Sequence, residues 1–276
     1  MTMKSARMPS SRMLRLATAV MGAAVFVFPA HAQDRQKIEA DNGCPKCDLR
    51  LSDLRDLTIN GANFERTILR EADLKMARLP KANFKGGDLR RAELERGFMP
   101  ESDFTDVSMR SVDLEKADLS GSVFNGADMR NADLSQTRLT GANFADTDLR
   151  NASFIRASAA KTNFQGAKMD QADLERANLE GANLSQTRLQ QADLDRVSAA
   201  GANFQDADLS GTRLSSADFT GANLSGADLT DALLRHTQLK GADLTGVTGL
   251  SQERIIDACG DENTKLPYGI TLKPCS

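Results

Sequence analysis

The chain has 276 residues, 35 of them lysine or arginine and 38 aspartate or glutamate, for a net charge of −3. That acidic balance excludes a general nucleic-acid binder, whose phosphate-facing surface has to be basic. Two histidines are present, and neither has the Ser, Cys or carboxylate neighbours of a triad or metal site, so no enzymatic activity and no cofactor are expected.

Residues 1–32 read as a secretory signal. Lys4, Arg7, Arg12 and Arg15 form a basic start, Leu16 to Ala30 is apolar but short for a membrane span, and Ala30-His31-Ala32 fits an A-x-A cleavage site. Cleavage after Ala32 leaves 31 basic against 38 acidic residues, a net charge near −7. The mature chain is therefore expected in the periplasm or secreted. Residues 33–48 come next: 33–43 are polar and expected to be loose, and Cys44-Pro45-Lys46-Cys47 forms a Cys-x-x-Cys cap.

From Leu49 to Leu244 every fifth residue is large and apolar. Of these 40 positions, all but Ala159 and Ala199 are Leu, Phe, Met or Ile, and a small residue usually stands two places earlier, as in Ala62-Asn63-Phe64. A helix advances 100° per residue and cannot keep such a repeat on one face. A strand alternates faces with period two, so an odd repeat would flip at every step. What buries it is a chain that runs extended for about three residues, with positions i−2 and i inward, and then turns a corner.

Phenylalanine recurs at 64, 84, 104, 124, 144, 164 and 204, a spacing of twenty, with Leu184 and Leu224 in the gaps and Asn before most of them. Twenty residues hold four pentapeptides, so each coil is a square and equivalent residues stack on the next coil. Forty pentapeptides over residues 49–248 make ten coils, a rod about 48 Å long at roughly 4.8 Å per coil.

This A-(D/N)-(L/F)-x-x run resembles the pentapeptide-repeat family over residues 49 to 248. The resemblance implies an all-β fold, a right-handed quadrilateral β-helix; the handedness comes from the family and not from the spacing. Members often close with a terminal helix, and residues 249–276 look like such a cap: Ser251 opens a short helix that turns Ile255, Ile256 and Ala258 onto the last coil, followed by a tail ending Pro274-Cys275.

The rod separates Cys44 and Cys47 from Cys259 and Cys275 by about 48 Å, so only the pairing Cys44–Cys47 with Cys259–Cys275 is open to a monomer. In an oxidising compartment both are expected as disulfides. The Cys44–Cys47 spacing also matches a thioredoxin-like redox pair, but no βαβ pattern surrounds it, which favours a staple.

On the outward positions, Arg70, Arg90, Arg110, Arg130 and Arg150 follow the apolar residue of one face in five consecutive coils, a ladder about 19 Å tall. Two readings stand: a stripe that binds a polyanion, or a lattice neutralised by Asp88, Asp128 and Asp148 two residues earlier. A second stripe (Arg96, Lys116, Arg156, Arg176 and Arg196) is flanked by Glu95, Glu115, Glu175 and Asp195. Acidic positions such as Asp73, Glu93, Asp113, Asp133, Asp173 and Asp193 line an open wall with no expected pocket.

The reading is an exported, non-enzymatic scaffold whose partner is a protein or a cell-envelope component. No small-molecule substrate and no nucleic acid are expected, and a homodimer through an end cap is an option. Several members of the family protect DNA gyrase by imitating duplex DNA; the resemblance makes that the alternative if the chain stays cytoplasmic.

Overall fold

The computed structural model describes residues 30–275. The signal read in residues 1–32 lies outside the described residues except for its last three.

Each pentapeptide contributes a short extended side and a corner. At the corner the amide of residue i+3 donates to the carbonyl of residue i, as in Ala77 N to Leu74 O at 3.0 Å and Ala127 N to Phe124 O at 3.0 Å. The corner residue i+2 has to adopt a positive φ. Glycine does so freely, as at Gly126 (φ 69°), but most corners carry polar side chains such as Arg91 and Asn131 with φ of 57° and 56°. The left-handed region costs a residue other than glycine roughly 1–2 kcal/mol, and the bonds between coils have to offset it.

Those bonds set the register. The middle residue of each side forms a parallel bridge with the residue twenty positions later, from Gly43↔Asn63 through Asn83↔Asp103 to Asp228↔Thr248. Amides point both ways along the rod: Phe84 N donates to Asp103 O and Asn83 N to Ala62 O, both at 2.8 Å. The period of twenty is thus four sides per coil, as the phenylalanine spacing implied.

Inward positions form one continuous core. Phe64, Phe84, Phe104, Phe124, Phe144 and Phe164 stack with centroids 4.4–5.3 Å apart. Phe154, on the adjoining face, meets Phe144 and Phe164 edge-on at 6.3 and 5.8 Å. Ala159 and Ala199 are fully buried. Threonine fits the small i−2 positions because its hydroxyl finds a backbone carbonyl, as in Thr147 to Phe124 O at 2.8 Å and Thr162 to Leu139 O at 2.7 Å.

Both ends differ from the sequence reading. Residues 33–43 are not loose: helix α1 spans Ala30–Ala40, and Ile38, its one large apolar residue, is 1% exposed against the first coil. Arg35 Nη1 donates to Arg55 O at 2.6 Å, occupying a carbonyl on the open edge. The coil also begins one pentapeptide earlier than Leu49. Cys44 and Cys47 occupy the i and i−2 phases of the repeat, with Cys44 N bonded to Asn63 O at 2.8 Å and Lys46 at a positive-φ corner.

The expected short C-terminal helix after Ser251 is no more than one 3-10 turn, Gln252–Arg254. After it, β2 (Ile255–Ile256) pairs in parallel with β1 (Leu234–Arg235). Ile255 and Ala258 are buried, while Ile256 is 41% exposed rather than packed on the last coil. The winding continues with a stretched register, Gln238↔Cys259 and Asp243↔Lys265, and β3 (Cys259–Gly260) then pairs with β4 (Lys273–Pro274). The last coil presents unpaired amides and carbonyls, and a strand satisfies them where a helix would not.

Candidate functional site

One wall carries the arginine ladder. The corner-side residues Arg70, Arg90, Arg110, Arg130 and Arg150 rise one per coil because the register is twenty. Arg50, which the sequence reading left out, extends the ladder by one rung; it has the same phase after Leu49 and bonds Asp48 at 2.6 Å.

Every rung meets a carboxylate. Asp88 accepts from Arg90 Nη2 at 2.6 Å and from Arg70 Nη2 at 2.8 Å. Asp128 takes Arg110 and, at 2.9 Å, Arg130 Nε. Arg150 Nη2 lies 2.7 Å from Asp148. The bond from Arg90, with a second from Arg70, holds Asp88 well below the usual carboxylate range. Burial pushes Asp128 up, but the bonds from Arg130 and Arg110 outweigh it and leave its pKa at about 2.

Neutralisation is incomplete. Six arginines, Arg50 to Arg150, share four aspartates, because Ile68 and Ser108 stand where the pattern calls for Asp. Above Arg150 the order inverts: Lys168 takes the acidic place and Asp170 the basic one. Asp170 lies 3.0 Å from Arg188 Nη2, yet neither of its oxygens has a hydrogen bond of good geometry.

The second stripe is paired in part with the acids beside it: Arg96 with Glu95 at 3.4 Å, Lys116 with Glu115 at 2.6 Å, and Arg196 with Glu175 at 2.7 Å. On the acidic wall, burial and neighbouring carboxylates raise Asp113 and Asp193. Each is tied to a backbone amide two residues on, Glu115 N and Asp195 N, at 2.9 Å. His236 sits on a corner with Nδ1 4.0 Å from Asp257 Oδ2.

The cysteines are joined as Cys44–Cys47 and Cys259–Cys275, with Cα atoms 5.5 and 4.8 Å apart. Among the described residues no cluster of His, Cys, Asp and Glu is arranged to hold a metal ion, and no helix is long and apolar enough to cross a membrane.

Comparison with known proteins places this geometry. Models of pentapeptide repeats match residues 47–86, 99–184, 177–215 and 212–248, together more than half of the chain. The chain is a pentapeptide repeat protein. Among solved structures, this pentapeptide repeat protein is similar to HetL, which is involved in heterocyst differentiation regulation in the cyanobacterium Nostoc, at 30% identity and a TM-score of 0.50, covering 79% of this chain and 88% of HetL. A trypsin-treated variant of QnrB1, a plasmid-mediated fluoroquinolone resistance protein, shares the fold at 24% identity and a TM-score of 0.53, covering 63% of this chain and 90% of that one. The rod is accordingly a right-handed quadrilateral β-helix. No curated protein sequence matches the chain.

Proposed function

We propose that this pentapeptide repeat protein is an exported, non-enzymatic scaffold that holds a protein or cell-envelope partner along its walls. The observation that carries the reading is the unbroken register of twenty from Gly43 to Thr248. It fixes outward side chains on a grid of about 4.8 Å along the rod, a rigid surface that binds without having to be ordered first. Export is supported by the basic and apolar leader of residues 1–32 and by four cysteines all engaged in disulfides, which suits an oxidising compartment.

Fractionation with N-terminal sequencing tests the reading. The expected product is a chain beginning at Gln33, outside the cytoplasm and without free thiols, that cross-links to one envelope component through photoreactive groups placed on a wall. An uncleaved, reduced chain in the cytoplasm would overturn export and bring forward the reading in which the acidic rod imitates DNA toward gyrase.

A further inference from the structure

The missing aspartate at Ser108 leaves a distinct feature. Asp88 is engaged from both sides by Arg70 and Arg90, and Asp128 by Arg110 and Arg130. The two carboxylates therefore serve separate arginine pairs, and position 108 between them, where the pattern calls for an acid, holds Ser. Beside that position lies a depression of about 320 Å³ lined by Arg70, Arg90, Arg91, Arg110, Ser111 and Asn131. Four guanidinium groups, a hydroxyl and an amide line it, and no carboxylate is in its lining, though Arg91 Nη1 also reaches Glu71 at 3.3 Å. Arg70 Nε is buried without a hydrogen-bond partner.

The neighbouring basic depressions differ. One contains Asp48 and Glu71 beside Arg50 and Arg70. Another, around Arg78, Arg96 and Arg138, contains Asp118, which takes Arg138 at 3.0 Å. Position 108 thus exchanges the repeated acid for a neutral hydroxyl where the next corners supply further donors.

We propose that this depression binds a phosphate-class oxyanion, held between Arg90 and Arg110 by the guanidinium N–H groups that Asp88 and Asp128 leave free, with Arg91, Ser111 and Asn131 donating from the corner. Successive coils stand about 4.8 Å apart, so guanidinium groups on neighbouring rungs can reach a tetrahedral anion from two sides. The anion offsets the positive charge left where two carboxylates, Asp88 and Asp128, serve the four guanidinium groups of Arg70, Arg90, Arg110 and Arg130. The site does not depend on where the protein works, so a failed binding test leaves the scaffold reading standing, and a cytoplasmic chain leaves the site standing.

The test uses the full mature chain, titrated with inorganic pyrophosphate and followed by calorimetry and by amide shifts of residues 90–91 and 108–111. One site is expected, weakening as salt rises. Ser108→Asp, which restores the residue type already present at 88 and 128, should weaken binding at least tenfold, and Ser108→Asn should leave it within twofold. Equal binding by wild type and Ser108→Asp, or no binding at millimolar pyrophosphate, would overturn the proposal. Co-sedimentation with phosphatidate vesicles separates the two sources of the group: loss of vesicle binding in Ser108→Asp assigns a lipid headgroup, and pyrophosphate binding without vesicle binding assigns a free anion.

Discussion

Phe124 and Phe144 lie with ring centroids 4.4 Å apart and planes within 1° of parallel. The register of twenty imposes this, since it gives both residues the same backbone position one coil apart. Phe124 therefore has aromatic neighbours on both sides, Phe104 at 4.8 Å being the other. Phe124→Ala should cost about 3–5 kcal/mol by urea unfolding. Phe124→Leu should cost under about 1.5 kcal/mol, because Leu184 and Leu224 already serve in the same column. A loss under about 0.5 kcal/mol for the alanine variant would contradict a packed stack.

The Cys259–Cys275 bridge closes a loop with a sequence separation of 16 and holds β3 beside β4. A loop of that size is worth roughly 3 kcal/mol in the chain-entropy model. In a solenoid, contacts reach only adjacent repeats, so the loss should remain local. With Cys275→Ser, protease is expected to cut within residues 261–276 while the rod keeps its far-ultraviolet spectrum. A rod that melts as a whole in this variant would show that the tail is integral to it.

Stability should fall at low pH. Asp53, Asp128 and Asp243 titrate at about 2 rather than 3.8: the bond from Arg55 lowers Asp53, that from Lys265 lowers Asp243, and Asp128 is pushed up by burial but further down by Arg130 and Arg110. A depressed folded-state value means stability that is complete above about pH 4 and is lost as pH falls toward 2. The melting temperature should drop through that window.

Asp113 has the opposite sign. Burial and the charges of Asp133, Glu95 and Glu115 raise it, so its ionised form opposes folding at neutral pH. Asn keeps the acceptor for Glu115 N. Asp113→Asn is expected to raise the melting temperature by about 1–3 °C at neutral pH, with the gain vanishing below about pH 3, where Asp113 is protonated in both states. A gain of equal size at both pH values would assign it to packing instead.

Legibility in the sequence followed periodicity. A repeat of five with phenylalanine every twenty admits no helix and no flat strand, so four-sided coils and the column from Phe64 to Phe204 could be read directly. Arg50 and the Cys44 pentapeptide share that phase: Arg50 stands in the first coil one rung below Arg70, and the Cys44 pentapeptide is hidden because cysteine is not a large apolar residue. The ends carry no repeat. In α1 the one large apolar residue, Ile38, gives no helical pattern by itself; the signal lies in Gln33, Arg35, Lys37, Glu39 and Ala40, all good helix formers. At the other end Ser251 suggested a cap, but the β-branched pair Ile255-Ile256 favours a strand, and the open edge of Leu234–Arg235 decided it. The gap at Ser108 was visible as a broken Asp series. What the sequence could not show is that Asp88 and Asp128 each take up two arginines.

The central claim is that forty-odd pentapeptides wind into one straight rod with twenty residues per coil. Spin labels at Lys85→Cys and Thr245→Cys, on one exposed wall eight coils apart in the register, measure it directly by electron–electron resonance. The winding predicts a separation of about 38 Å, shrinking by about 4.8 Å for each coil by which the second label is moved down the wall. A separation that does not change in steps of twenty residues would contradict it.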